Sequence, residues 1–306
     1  VNTIWITPIV ENSDTTTEDA QKNTISSTGY HGYWASDFTA LNPHLGTEEE
    51  FKELISAVHA HGMKLMVDVV LNHAGYDTEN YFNTVLVGKD SKKVSMIRDD
   101  SNTVTGDDVY ASLSGLPDFV TENADVRNQL VKWQTEWMTK YDIDYYRVDT
   151  VKHVDATTWA AFKNSLTKAN PDFKMIGEYA GAGYANTAGE LVTEKNLTEE
   201  EALKVFKVAA ALQITAKGQA VIYYGEEIGQ HGLNNYPIQS NRYDFDWSQA
   251  NDSNKTYSHY KKLLSIRNAY TDVFARGTRK VVVSSDKEKY DVVAREYQGT
   301  KLYVGM

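Results

Sequence analysis

The sequence predicts an α/β protein built on a parallel sheet, and two observations support this. Apolar, strand-like runs at residues 1–8, 63–71, 143–150 and 174–179 alternate with helical patterns. A strand, a helix and a second strand in that order form a βαβ unit, whose strands run parallel. Three of these runs end in ionisable side chains, at the position where barrels of this class place catalytic groups.

Composition limits the class of protein further. The chain has 306 residues, 41% of them hydrophobic, and a net charge of −11. This size suits one large domain, or a domain with a small appendage, and the negative charge argues against nucleic acid as a partner. No cysteine is present, which excludes disulfides, thiol catalysis and thiolate zinc sites. We expect no membrane span and see no signal peptide. Because a strand pattern begins at Val1, we expect the true N-terminus to lie upstream.

The first run, residues 1–8, closes with a proline, and an aromatic loop, GYHGYWASD, follows at residues 29–37. This loop is either a packed aromatic turn or a platform on which sugar rings stack against Tyr33 and Trp34, with His31 as a hydrogen-bond donor. The helix at residues 47–62 has Thr47 and Glu50 in the capping-box spacing. The two alternatives for the loop stay open on the sequence alone.

The second run, residues 63–71, is fully apolar except for Lys64 and Asp68, and a carboxylate inside a strand needs a partner. Asn72 and His73 follow at the end of this run. The Asn72 amide oxygen is a ligand type that suits calcium. The alternative is that the two residues are ordinary polar residues of a loop. A long insertion, residues 74–119, and a helix at residues 123–141 lead to the next strand.

The third run ends in Arg147-Val148-Asp149, and strand alternation puts Arg147 and Asp149 on one face. An arginine beside a carboxylate holds it ionised, although an isolated pair of this kind is often only structural. A helix at residues 156–170 leads to the fourth run, where Gly177 leaves room beside Glu178. His73, Asp149 and Glu178 thus end three successive strands, which predicts a shared site.

The second half predicts a capping-box helix at residues 198–218, started by Thr198 and Glu201, then a strand at residues 219–224 and a helix at residues 257–269. Short β runs without helices between them fill residues 280–306. They indicate the start of a small antiparallel domain.

Several separate motifs together resemble the alpha-amylase family, glycoside hydrolase family 13. DVVLNH at residues 68–73, LPD at residues 116–118, the stretch 146–153, the pair Gly177-Glu178 and the stretch 218–226 each resemble a conserved region of that family. The sequences of the two motifs GYHGYW and RVDTVKH are most similar to those of fungal-type and related bacterial alpha-amylases.

The resemblance implies a (β/α)8 TIM barrel, incomplete here, with a domain B insertion and a C-terminal antiparallel β domain. The barrel would take residues 1–73 and 120–273, domain B residues 74–119, and the β domain residues 274–306. The implied activity is endo-acting hydrolysis of α-1,4-glucosidic bonds with retention. Starch, amylose and malto-oligosaccharides would be the partners, without nucleic acid or membrane, and we expect a secreted monomer because polymeric starch does not enter cells.

The resemblance also implies a role for each matching residue. Asp149 resembles the nucleophile and Glu178 the general acid/base, and Arg147 would keep Asp149 ionised while a drier setting raises the pKa of Glu178. The implied sugar-binding residues are Tyr33, Trp34, His31, His73, Lys152 and His153. Asn72, Asp118 and the backbone carbonyl of His153 would bind a structural Ca²⁺.

The chain departs from the family pattern in one important respect. No His-Asp pair, which carries the family's third catalytic carboxylate, occurs anywhere in the sequence, and Ala220 replaces a usual proline. The first, sixth and seventh barrel strands are not found, and an internal deletion is expected near residues 189–192. Five strands cannot close an eight-stranded barrel, and losing the carboxylate predicts a loss of several orders of magnitude in rate.

Three origins of this gap stay open: a fragment or spliced product of an active amylase, an engineered truncation, or a degenerate homologue. The alternatives for function are a 4-alpha-glucanotransferase, a catalytically impaired glucan-binding homologue, and a barrel enzyme of other chemistry. The last lacks support, because no glycine-rich phosphate loop is present.

Overall fold

The computed structural model of the chain describes residues 1–15, 17–18, 24–25, 29–178, 198–230, 242, 244–285 and 287–306. The chain divides into two compact units, Val1–Gly183 and Tyr184–Met306. The predicted division into barrel, domain B and β domain stays a prediction. Within the described residues, no helix combines the length and apolarity needed to cross a membrane.

The elements are named here in chain order. The strands are β1 (Thr3–Ile6), β2 (Val10–Asn12), β3 (Thr17–Glu18), β4 (Thr24–Ile25), β5 (Ala35–Leu41), β6 (Lys64–Val69), β7 (Tyr145–Val148), β8 (Lys174–Gly177), β9 (Thr278–Ser285), β10 (Tyr290–Tyr297) and β11 (Thr300–Gly305). The helices are α1 (Glu48–Ala60), α2 (Glu79–Val85), α3 (Ala124–Tyr141), α4 (Ala156–Ala169), α5 (Glu199–Thr215), α6 (Lys255–Ala269) and α7 (Thr271–Arg276).

The first unit is built on a parallel sheet in the order β1-β6-β7-β8. These four strands confirm four of the five predicted ones. Each successive strand adds to the same side of the sheet. In the sequence, at least one helix separates each strand of this sheet from the next. In the described part of the chain, β1 and β8 each pair along one edge only.

The prediction of a strand at residues 219–224 is wrong. Residues 219–223 form no ladder, and the chain turns at Tyr224 and Gly225 into a short 3-10 helix, Glu226–Ile228. A parallel strand exists only beside a partner, and the strands described in the second unit are the antiparallel β9, β10 and β11. The apolar composition of this run therefore does not by itself make a strand.

The helix boundaries follow local capping signals. Thr47 caps α1, and its side chain and that of Glu50 form the complete capping box that the sequence predicts. Thr198 and Glu201 form the same box at the start of α5. Because these contacts span three residues, the sequence alone is sufficient to place them.

A continuous apolar core holds the sheet against its helices. Leu65, Val67 and Val69 of β6 are buried, as is Tyr146 of β7. Trp137 of α3 is 7% exposed, and its indole N–H donates to a carbonyl oxygen of β5 at 2.6 Å. This core fixes the strands and so fixes the side chains at their C-terminal ends.

The insertion between β6 and α3 is mostly irregular. It contains α2, and isolated bridges join His73 to Asp118 and Ile97 to Phe119, so its two ends lie side by side. The deletion expected near residues 189–192 lies outside the described residues.

The second unit has a smaller core. Ala210 and Ile214 of α5 pack with Tyr260 of α6. The antiparallel sheet β9-β10-β11 confirms the predicted β segment at residues 280–306.

Candidate active site

The register of the parallel sheet brings the predicted catalytic residues together. Asp68 of β6 lies opposite Arg147 of β7, and Val148 lies opposite Gly177 of β8. The Asp149 N–H donates to the Val69 carbonyl at 2.9 Å, and the Glu178 N–H donates to the Val148 carbonyl at 2.8 Å. Asp149 and Glu178 are therefore neighbours at the C-terminal edge of the sheet.

Arg147 lies at the centre of this site and contacts three carboxylates. Its Nη1 donates to Asp68 Oδ1 at 2.9 Å and to Asp149 Oδ1 at 2.8 Å, and its Nη2 pairs with Glu178 Oε2 at 3.0 Å. Residues from three adjacent strands thus share one guanidinium. The predicted contact between Arg147 and Asp149 is present, and the contacts with Asp68 and Glu178 extend it.

Asp68 holds Arg147 from the interior. Its side chain is completely buried, and it also accepts hydrogen bonds from the Tyr33 hydroxyl at 2.9 Å and the Trp5 Nε1–H at 3.2 Å. Burial raises the pKa of Asp68, while Arg147 and these donors oppose the shift. The sequence shows only that Asp68 needs a partner; the partners lie far along the chain.

The protonation pattern differs from the expected one. Burial raises the pKa of Asp149 to about 7 against the opposing effect of Arg147, and the nearby Glu178 and Asp68 add to the rise. Burial acts to raise the pKa of Glu178 too, but Arg147 and the Thr150 N–H outweigh it and lower that pKa. The expectation of a drier Glu178 is wrong in this structure, because the Glu178 side chain is 43% exposed and that of Asp149 only 10%.

Two backbone features allow Glu178 to approach β7. A side chain at Gly177 would place its Cβ 2.6 Å from Val151 Cγ2, so glycine here lets the turn after Asp149 pack against the end of β8. Thr150 has φ +49°, a left-handed conformation that costs a β-branched residue energy. Its N–H points at Glu178 Oε2 at 3.3 Å.

His73 is buried beside the site. It is 3% exposed, and burial lowers its pKa to about 4, so the ring is neutral. Its Nε2 donates to the Tyr33 carbonyl at 3.1 Å, and its Nδ1 accepts from the Asn72 amide at 3.2 Å. In this structure His73 holds the aromatic loop, and its contact with sugar stays a prediction.

The aromatic loop is packed ring against ring, and its role as a sugar-stacking platform stays a prediction. The His31 ring stacks on Tyr33 with centroids 5.5 Å apart and meets Trp34 edge-on at 4.7 Å. Tyr33 also lies 5.8 Å from the Arg147 guanidinium carbon, measured from its ring centroid. These three rings are all partly exposed beside the carboxylates, as a sugar-stacking surface requires.

Lys152 and His153 contact the insertion. Lys152 Nζ pairs with the Asp108 carboxylate at 3.1 Å, and His153 Nδ1 lies 2.8 Å from the Asp108 carbonyl oxygen. Both residues belong to the 3-10 turn Val151–His153 that follows Asp149. They therefore bring the insertion close to the site, and their sugar contacts stay predictions.

Two of the predicted calcium ligands, Asn72 and Asp118, are buried and already bonded to protein groups. Asn72 and Asp118 are each 2% exposed and lie on neighbouring segments, with the Phe119 N–H donating to the Asn72 carbonyl at 2.9 Å. Asp118 Oδ2, however, accepts from Arg98 Nε at 2.6 Å. Calcium takes six to eight oxygen ligands, and the predicted set offers a single carboxylate, Asp118, which is already paired with Arg98. As arranged here the set does not fit calcium, and calcium binding stays a prediction.

Comparison with known proteins decides the family. The sequence profile described as "Alpha amylase, catalytic domain" matches residues 1–182, more than half of the chain. The chain belongs to the alpha-amylase family. The family fold is the (β/α)8 barrel, so the parallel sheet of the first unit is part of such a barrel, and the barrel is incomplete.

Individual relatives agree with this assignment. The alpha-amylase of Streptomyces lividans is 31% identical over 245 residues, covering 60% of this chain and 26% of that protein. The periplasmic alpha-amylase of Escherichia coli is 24% identical over 434 residues, covering 99% of this chain and 63% of that protein. An alignment of 434 positions exceeds the 306 residues of this chain, so the E. coli protein contains internal segments without a counterpart here.

A solved structure shows the same fold. The alpha-amylase of Geobacillus thermoleovorans, crystallised with acarbose, matches with a TM-score of 0.74 and 24% identity, covering 100% of this chain and 76% of that chain. The chain thus spans about a quarter of one curated relative and less than two thirds of the other.

Proposed function

We propose that this chain carries the catalytic residues of an endo-acting alpha-amylase, which hydrolyses α-1,4-glucosidic bonds of starch and related glucans with retention. The observation that supports this most is the contact of Arg147 with both Asp149 and Glu178 at adjacent strand ends. A retaining glycosidase requires two neighbouring carboxyl groups, one as nucleophile and one as acid/base. Membership of the alpha-amylase family and the alpha-amylase names of the relatives support the same proposal.

In the first step Asp149 attacks the anomeric carbon and forms a covalent glycosyl ester. The bond between that carbon and the glycosidic oxygen breaks, and Glu178 gives its proton to the departing oxygen. In the second step Glu178 takes a proton from water, whose oxygen attacks the anomeric carbon and releases Asp149. Arg147 stays paired with Asp149 throughout and orients it.

A proton must lie on Glu178 before the first step. Burial raises the pKa of Asp149 while Arg147 lowers that of Glu178, so without substrate the proton is held on Asp149 rather than on Glu178. A glucan lying over the site covers the exposed Glu178 side chain and removes water from it, which raises its pKa. Asp149 keeps its contact with Arg147 and gives up the proton. Substrate binding therefore supplies the protonation pattern that the nucleophile needs.

The aromatic loop supplies the sugar-binding surface. Tyr33 is held by Asp68 through its hydroxyl and by His73 through its backbone, so its ring has a fixed position. A ring held in this way stacks against a sugar without losing further side-chain entropy. His31 and Trp34 extend the same surface, and Lys152 and His153 line the site from the turn after Asp149.

A catalytically impaired glucan-binding protein is the second candidate, and one observation favours it. The His-Asp pair of the family is absent from the sequence. Asp68 does not replace the missing carboxylate, because its side chain is fully buried and cannot reach a sugar. A 4-alpha-glucanotransferase would use the same two carboxylates and differ only in passing the glycosyl unit to a sugar hydroxyl.

We further propose that the protein acts outside the cytoplasm, because polymeric starch does not cross membranes. We also propose that it is a monomer. Starch, amylose and malto-oligosaccharides are its proposed partners. Fractionation of the source cells tests the location, and sedimentation tests the oligomeric state.

The first experiment measures reducing-end release from amylose by this chain, with excess Ca²⁺ and with Asp149→Asn as the control. We expect slow hydrolysis that vanishes in the variant, with products released as the α-anomer. Release of the β-anomer would contradict the retaining mechanism. If neither protein hydrolyses amylose, a glucan-binding titration tests whether the chain is a glucan-binding protein. Formation of products longer than the malto-oligosaccharides supplied would instead indicate a transferase.

A further inference from the structure

Arg98 is a buried cation inside the insertion, and the catalytic chemistry makes no use of it. Its side chain is only 1% exposed. It follows Ile97, which bridges to Phe119, so this middle part of the insertion lies against the insertion's C-terminal end. A buried arginine is costly unless its charge and its donors are matched, and its contacts therefore show what it holds together.

All three nitrogens of the Arg98 guanidinium have partners. Nε donates to Asp118 Oδ2 at 2.6 Å, while Nη1 and Nη2 donate to the two Glu122 oxygens at 2.7 and 2.8 Å. Nη1 also donates to the Asn102 carbonyl at 3.0 Å, and the Arg98 backbone N–H donates to the Asp118 carbonyl at 2.7 Å. The Tyr110 ring centroid lies 5.4 Å from the guanidinium carbon.

These partners belong to separate parts of the fold. Asn102 and Tyr110 lie within the insertion, whereas Asp118 bridges to His73 at the end of β6. Glu122 lies in the turn immediately before α3. One guanidinium therefore joins the insertion to a strand end and to a helix start, which is the mechanical task that a structural cation performs.

We infer that Arg98, with Asp118 and Glu122, fastens the insertion to the sheet in place of a metal ion. Asp118, the carboxylate predicted to bind calcium, already carries a charge-assisted hydrogen bond to Arg98. A divalent cation added beside the guanidinium would place three positive charges against two carboxylates. The structure thus disagrees with the calcium site that the sequence implies, and the stability of the first unit is independent of calcium.

The experiment uses the full chain and its thermal unfolding, followed by circular dichroism. The purified protein is treated with EDTA, dialysed, and measured with EDTA, with Ca²⁺ and with Mg²⁺. We expect the three Tm values to agree within about 1 °C. A fall of about 5 °C or more in EDTA that Ca²⁺ restores and Mg²⁺ does not would overturn the inference.

Variants test Arg98 itself. Removing one partner of a buried charge pair is strongly destabilising, so Arg98→Met should lower the Tm by about 10 °C, equally in EDTA and in Ca²⁺. Arg98→Lys keeps the charge but loses the forked contacts, and should recover only part of this loss. Arg276→Met is the control, because Arg276 makes an exposed pair with Asp272.

If Arg98→Met behaves like Arg276→Met, the inference is wrong. If Arg98→Met does not fold at all, the comparison of EDTA with Ca²⁺ in the unmodified chain still decides. Neither measurement depends on glucan hydrolysis, so a failure of the proposed function would not affect the outcome.

Discussion

Two buried arginines, Arg147 and Arg98, each collect carboxylates, yet their surroundings differ. Arg147 faces three carboxylates, and one of them, Glu178, has a side chain that is 43% exposed. Arg98 faces two carboxylates and a backbone carbonyl, and its nitrogens point into protein on all sides. Each cluster has one partly exposed carboxylate, Glu178 or Glu122, but only the first has a third carboxylate and so an excess of negative charge.

The difference explains why one cluster suits catalysis and the other suits fastening. With three carboxylates around one guanidinium, negative charge is in excess, and burial keeps a proton on Asp149 up to about pH 7. A carboxyl group whose pKa lies near the working pH gains or loses its proton when its surroundings change slightly. The Arg98 cluster also has a raised pKa at Asp118, about 6, because of burial. That cluster, however, balances its one cation with only two carboxylates.

The largest effect is expected from Arg147→Met. It leaves Asp68 buried without its charge partner, which should cost about 3–5 kcal/mol of unfolding free energy. The activity should fall about 10³-fold, because Asp149 and Glu178 lose their common donor. Denaturant unfolding and amylose hydrolysis measure the two effects. A loss of activity with unchanged stability would show that Asp68 finds another partner.

Asp68→Asn tests whether the interior carboxylate positions Arg147. The amide still accepts from Tyr33 and Trp5 but no longer attracts the guanidinium, so kcat should fall about 10–100-fold. Because the charge of Asp68 helps to raise the pKa of Asp149, the acidic limb of the pH–rate profile should move to lower pH. An unmoved limb would make Asp68 a purely structural residue.

Asp149→Asn should stabilise the protein above neutral pH. The pKa of Asp149 is raised from near 4 when unfolded to about 7 when folded. Between these values only the folded state keeps the proton, so the unfolding free energy falls as pH rises and stays low above about pH 7. At pH 8 the inactive variant should therefore be more stable than the parent by about 4 kcal/mol. This advantage should vanish near pH 4; an advantage that is constant with pH would contradict the shift.

The smallest effect is expected from Thr150→Gly. Glycine adopts the left-handed backbone of this position freely, and the Thr150 hydroxyl is buried without a hydrogen bond. The variant should gain about 0.5–1 kcal/mol, and because the N–H that contacts Glu178 remains, its activity should stay within about twofold. Thr158→Gly is the control and should lose stability, since the Thr158 hydroxyl contacts Asp155 at 2.7 Å.

Sequence reasoning succeeded where a signal is local or belongs to a motif. The capping boxes at Thr47 and Thr198 depend on residues three positions away, and the parallel strands follow from the order of apolar runs. The meeting of Arg147 with Asp149 follows from strand alternation. The assignment to the family follows from several motifs together.

It failed where the outcome depends on distant partners. Arg98 and Asp118 are 20 positions apart, and the sequence around either residue has no motif that predicts their contact. The solvent exposure of the Asp149 and Glu178 side chains depends on which segments cover the edge of the sheet. The spacing of residues in the sequence does not contain this information. The strand expected at residues 219–224 has no neighbouring strand among the described residues. Each of these depends on tertiary packing, and a local pattern contains no information about it.

The strand order has a consequence for synthesis of the protein. β6 pairs with β1, which precedes it, but its other edge pairs with β7, and residues 70–144 lie between them. A ribosome needs on the order of ten seconds to make such a stretch. During that time the nascent chain carries an apolar strand with one edge open to other chains. We therefore expect slow, chaperone-sensitive maturation, with aggregation before β7 emerges as the main competing outcome.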